Sequence, residues 1–181
     1  MARGGPGLEH TGNLLGALSL AVTDRTSAAA GDAAGQSESA AAALSALHHF
    51  LEEPSVDLIR QVLGLTPSGA VRLIDRLADA GYVARGPGRD GRSVTVRLTA
   101  RGRRAAERVS AARAGVLEDA LAGLSAGDRR MLDQLISRVL VGLIRGPGAT
   151  RWMCRLCDTG ACGREEGNCP VANAARDRFA A

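Results

Sequence analysis

Apolar residues recur every three or four positions along most of this chain, and the interruptions fall where turn residues cluster. Leu14, Leu15, Leu18 and Val22 hold helical spacing and predict a long first helix over about 8–30, after a Gly/Pro-rich start at 1–7 that is expected to fray. Residues 31–36 (GDAAGQ) read as a break. Ser37 then caps a second helix whose apolar stripe is Ala43, Leu44, Leu47, Phe50 and Leu51. Glu53-Pro54-Ser55 is expected to end it, because a proline disfavours helical backbone in the residue before it. Ser55 caps a short third helix to about Val62, closed by Gly64. Thr66 caps a fourth, with Pro67 at the first helical position, where its missing N–H costs nothing. Val71, Ile74, Leu77 and Ala78 are its expected apolar face, and Gly81 its end.

The period then changes. Tyr82-Val83-Ala84-Arg85, a Gly-rich turn over 86–91, and Ser93 to Leu98 with Val94, Val96 and Leu98 alternating predict a β-hairpin. Helical spacing resumes after Thr99 and runs to about Leu121. Ser125 caps a last long helix with Met131, Leu132, Leu135, Ile136, Val139, Leu140 and Leu143 in its stripe, and Gly146-Pro147-Gly148 stops it. A tail, 149–181, follows. The fold class expected is mainly α, with a two-stranded β wing set among helices.

Charge sharpens this outline. The 181 residues carry a net +4, but residues 54–113 hold twelve arginines against five acids, a local +7, while 1–53 stand at −4. Every Lys/Arg position is arginine, a bias that by itself would spread evenly; the segregation is the footprint of a surface facing phosphates. Aromatics make up only 2%, which disfavours modules that stack bases on aromatic platforms. No apolar run reaches the roughly 18 residues of a membrane span, and 14–22 is not followed by a cleavage site. A cytoplasmic protein without membrane contact is expected.

The third and fourth helices are joined across Leu63-Gly64-Leu65, the kind of short turn that sets a helix-turn-helix. The second helix of such a unit offers its N-terminal residues to base edges in the major groove of double-stranded DNA. Those residues are Thr66, Pro67, Ser68, Gly69 and Arg72, with Arg76 one turn further on the same face. Arginine suits guanine O6/N7 and bidentate phosphate contacts. The hairpin adds Arg85, Arg89, Arg92 and Arg97, and a tip of this kind can enter a minor groove, where negative potential attracts arginine. Asp90 fits there by holding Arg92 or the turn backbone in position.

Taken together, Thr66-Pro67-Ser68-Gly69-Ala70-Val71-Arg72-Leu73-Ile74-Asp75-Arg76-Leu77, Gly81-Tyr82-Val83, Asp90-Gly91-Arg92-Ser93 and Leu98-Thr99-Ala100-Arg101-Gly102 resemble the MarR family of winged helix-turn-helix transcriptional regulators over about 8–145. The resemblance implies a homodimer formed by the first, fifth and sixth helices (about 8–30 and 99–145), flanking a DNA-binding lobe at about 54–98. It implies a pseudo-palindromic operator read by the helix from Thr66 and the wing at Arg89–Arg92, with repression the commoner mode. It leaves open a small-molecule effector between lobe and dimer helices.

The tail falls outside that resemblance. Cys154, Cys157, Cys162 and Cys169 form C-x2-C-x4-C-x6-C-P, and no cysteine lies elsewhere. Four thiols within sixteen residues have the ligand count of a tetrahedral zinc site, with the spacing of a zinc knuckle whose usual histidine is a cysteine. An iron–sulfur cluster is a second reading, though ferredoxin spacing is tighter. An oxidisable Cys154/Cys157 dithiol is a third. A tail of this size has too little core to fold alone, so ligation would supply the missing free energy. His48 and His49 are adjacent on one helix, point about 100° apart and read as surface or interface residues. No nucleophile–base set, Walker loop or dinucleotide fingerprint is present, so no enzyme activity is expected. Two alternatives to a regulator remain: a single-stranded nucleic-acid binder using the tail as a zinc knuckle, and a thiol-based redox protein, which would need a βαβ setting.

Overall fold

The computed structural model describes residues 6–88, 94–146 and 148–179. Its elements follow the expected order: α1 (Pro6–Ala34), α2 (Glu38–His49), α3 (Val56–Leu63), α4 (Pro67–Asp79), β1 (Val83–Pro87), β2 (Val94–Leu98), α5 (Ala100–Leu121) and α6 (Ala126–Gly142). The tail adds two helices that the sequence pattern does not announce, α7 (Ala149–Met153) and α8 (Pro170–Phe179).

Side-chain caps set most of the helix starts. Ser37, Ser55, Thr66, Thr99 and Ser125 each accept a backbone N–H from the first turn, satisfying a donor that the helix itself leaves unpaired. Gly64 ends α3 in the left-handed conformation, at φ 66°. Two boundaries differ from expectation. α1 continues through the alanines to Ala34 and breaks only at Gly35, whose φ is 60°. α2 stops at His49, before Pro54 can act; Phe50 leaves the helix and stays partly exposed while Leu51 is buried.

Leu44, Ile59, Leu73, Ile74, Leu77, Val96 and Val109 form the buried centre, so α2, α3, α4, β2 and α5 share one core. α1 packs along α5 and α2. The hairpin is antiparallel, with Val83 opposite Leu98 and Pro87 opposite Val94. Val96 is its buried residue, whereas Val94, expected on the same face, sits near the tip and is exposed. A bridge from Ser55 to Thr95, with the Val96 N–H donating to the Pro54 carbonyl at 3.0 Å, ties the wing to the start of α3.

α6 is different. None of its residues is buried in the protomer, and Met131, Leu135, Ile136 and Val139 stand exposed, as do Leu14, Leu15 and Leu18 on α1. The tail builds a second, small cluster from Ile144, Cys154, Cys169 and Val171, supported by Leu140 and Met153.

Candidate nucleic-acid interface

α4 buries Ala70, Leu73, Ile74 and Leu77. The spacing i, i+3, i+4, i+7 fixes which side faces the core. Val71, expected among the apolar face, is instead 49% exposed; the small Ala70 takes the core position, and Val71 turns out beside Arg72. Thr66, Pro67, Ser68, Arg72 and Arg76 are all exposed, with Gly69 partly so. One outward strip of α4 therefore carries a hydroxyl, an apolar patch and two guanidinium groups.

Arg85 and Arg97 are exposed on the wing strands. Arg85 is ion-paired with Asp75 of α4, which ties the wing to the helix and partly neutralises that arginine. Arg89, Asp90 and Arg92, the remaining wing candidates, lie outside the described residues. Behind the wing, Thr99 Oγ1 donates to the Gly81 carbonyl at 2.7 Å and accepts the Gly102 N–H at 3.0 Å, and its own N–H donates to the Tyr82 carbonyl at 3.0 Å. The Leu-Thr-x-x-Gly stretch is thus the joint between wing and α5.

The four cysteines come together in the tail. Cys154 and Cys157 neighbour one another, as do Cys162 and Cys169, and all four meet in one small cluster. Cys154 and Cys169 are buried. Hydrogen bonding with Cys154 pulls the Cys157 thiol down to about 6, helped by Arg113 and Arg164 and opposed by burial. The same bond, with burial, pushes Cys154 upward. Burial and Cys169 push Cys162 up to about 11. The tail holds helices and turns with no strand among its described residues, so the βαβ setting of a thiol oxidoreductase is lacking there.

Several residues with no prior role join the tail to α2 and α3. His49, read from the sequence as a surface or interface residue, has a side chain only 10% exposed; its Nε2 lies 2.8 Å from Ser110 Oγ and its Nδ1 3.7 Å from Asp158. Burial lowers the His49 pKa, with Asp158 opposing. Asp158 is itself held below the usual carboxylate range by the backbone N–H of Ala161, which its Oδ1 accepts at 3.0 Å alongside that of Gly160 at 2.9 Å. Thr159 Oγ1 donates to the His49 carbonyl at 2.9 Å, Arg164 stands over the Phe50 ring, and α7 packs on α3. No local spacing signals these contacts.

A capped helix-turn-helix with a hairpin tied to its second helix defines a winged helix-turn-helix protein. The MarR family model matches residues 14–93. Among solved structures, the MarR family protein Rv2887 of Mycobacterium tuberculosis in complex with DNA is 26% identical, covering 71% of this chain and 95% of that one at a TM-score of 0.57. The same protein with p-aminosalicylic acid is 27% identical, covering 71% and 96%, with a TM-score of 0.56. YusO of Bacillus subtilis, at 19% identity, 76% and 97% coverage and a TM-score of 0.62, shares the fold. Comparison by sequence with curated proteins returns no match. Over residues 14–93 this chain is similar to the MarR family in sequence, and its fold is that of MarR-family regulators. The chain is accordingly a DNA-binding transcriptional regulator and not an enzyme, and no helix among its described residues is long and apolar enough to cross a membrane.

Proposed function

We propose that the protein binds a pseudo-palindromic operator as a homodimer and represses transcription by occupying it. The observation that carries this reading is the outward strip of α4: Thr66, Ser68, Val71, Arg72 and Arg76 face solvent while Ala70, Leu73, Ile74 and Leu77 hold the helix on the core. Arg72 and Arg76 supply guanine or phosphate contacts, and Val71 suits a thymine methyl. Thr66, Pro67, Ser68 and Gly69 bring the helix N-terminus to the backbone. Arg85, Arg89 and Arg92, with Asp90 as organiser, serve the neighbouring minor groove. Two copies pair through the exposed leucines of α1 and α6, a stripe that an isolated protomer would leave in water. The Mycobacterium tuberculosis relative was solved with p-aminosalicylic acid; a small-molecule effector here would bind between the lobe and the dimer helices.

Selection from a random duplex library, followed by anisotropy on the enriched site, tests this. Enriched sites should show two inverted half-sites spaced by about 10–10.5 base pairs or a multiple. Arg72→Ala should weaken binding by about 1–3 kcal/mol. Failure to enrich any duplex, or equal affinity for single strands at matched salt, would overturn the reading in favour of the single-stranded alternative.

A further inference from the structure

We propose that Cys154, Cys157, Cys162 and Cys169 together ligate one zinc ion, and that this ion holds the 158–164 loop against the end of α2, the helix that packs on α3 of the helix-turn-helix. The first half stands on the tail alone; the second rests on the DNA-binding role proposed above.

All four cysteines belong to one small cluster: Cys154 and Cys169 are buried in it, and Cys157 and Cys162 pack against it. Tetrahedral zinc with bonds of about 2.3 Å would draw the four sulfurs to about 3.8 Å from one another. Among the described residues no three His, Cys, Asp or Glu side chains already stand in ligand geometry.

The surroundings suit thiolates. Cys169 immediately precedes α8, and its sulfur accepts the Ala172 N–H at 3.4 Å, the kind of amide contact that orients a ligating sulfur. Zinc with four thiolates carries a net double negative charge. Arg164 and Arg113 lie close enough to act on these thiols, and the Arg113 Nε is buried without a hydrogen-bond partner. Gly163, at φ 60°, lets the chain fold back so that the Asn168 N–H donates to the Gly163 carbonyl at 2.8 Å. Apart from the cysteines, the tail's buried cluster holds only Ile144 and Val171, too little apolar surface to order some thirty residues, which ligation would do.

The loop between the second and third ligands meets the end of α2 through Thr159 on the His49 carbonyl and Asp158 beside the His49 ring. Fixing Cys157 and Cys162 to one ion fixes that loop.

The test uses the full chain purified anaerobically. Elemental analysis should find about one zinc per chain, and a mercurial reagent added with a colorimetric zinc indicator should release it as the four thiols react. Cys157→Ser/Cys162→Ser should hold less than about a tenth of that zinc. The wild-type titration needs no variant to fold. Zinc removal should weaken operator binding at least about fivefold. Metal-free wild type, iron with acid-labile sulfide, or zinc retained in the double variant would each overturn the site. Zinc at the expected ratio with unchanged DNA affinity after its removal would overturn the coupling. Absence of DNA binding in both forms would count against the operator reading and leave the zinc stoichiometry standing.

Discussion

Gly102→Ala places one methyl group where wing and α5 meet. A Cβ at this position would lie 1.9 Å from the Tyr82 carbonyl oxygen, 2.9 Å from its carbon and 3.1 Å from Leu98 Cδ2. Ordinary contact begins near 3.4 Å, so the two backbones must part by about 1.5 Å, which no side-chain rotation can supply. Overpacking of this kind costs about 1–3 kcal/mol, with the upper end appropriate for a backbone neighbour. Separation also disturbs the Thr99 N–H bond to the Tyr82 carbonyl and the Thr99 hydroxyl bonds around it, at about 1 kcal/mol each. Alanine returns about 1 kcal/mol of helix propensity. The expected net loss is about 2–4 kcal/mol, a large part of the 5–15 kcal/mol typical of a folded domain. Gly115→Ala on the same helix is the control: nothing lies within 4 Å of its added methyl, so it should gain about 0.5–1 kcal/mol. Urea unfolding followed by far-UV circular dichroism, at one protein concentration, reads both. A Gly102→Ala midpoint at or above that of wild type would refute the close approach and, with it, the joint described for the Leu-Thr-x-x-Gly stretch.

Leu135→Asp on the exposed stripe of α6 should convert the proposed dimer to a monomer in sedimentation equilibrium; an unchanged dimer mass would remove α6 from the interface. Thr66→Ala deletes the cap of α4 and should cost about 1 kcal/mol of stability, read as a lower urea midpoint, with none lost if the cap is idle. His49 is held below its ordinary pKa of 6.5 by burial, so folding disfavours its protonation. Its contribution is full above about pH 6.5 and falls away as pH drops through the lower folded value. His49→Gln should therefore flatten the stability profile between pH 7 and 5.5, and an equally steep fall in the variant would assign that slope to another group.

Local signals were the legible ones. Ser55, Gly64, Thr66 and Thr99 mark helix ends because their side chains or conformational freedom act within a few residues, and all four do so in the structure. On α4 the structure departs from the expected apolar face at Val71, which turns outward while Ala70 and Leu73 join Ile74 and Leu77 on the core. The late end of α1 follows from its alanines, which keep the helix going until Gly35 offers a left-handed exit. Contacts such as His49 with Asp158 and Thr159, or Arg164 with Phe50, join residues about a hundred positions apart. No periodicity encodes such pairings, so the docking of the tail on the lobe was beyond reach, although the grouping of its cysteines was not.

The ion pair between Asp75 and Arg85 bears on which partner must deform when protein meets duplex. With α4 and the hairpin pinned to one another, the angle between the groove-reading helix and the arm beside it is set before contact. The work of adjustment then falls on the nucleic acid, and its size depends on base steps that no side chain touches. Flexible pyrimidine–purine steps would yield cheaply and stiff tracts would not, so part of the protein's selectivity would reside in the bending stiffness of its target.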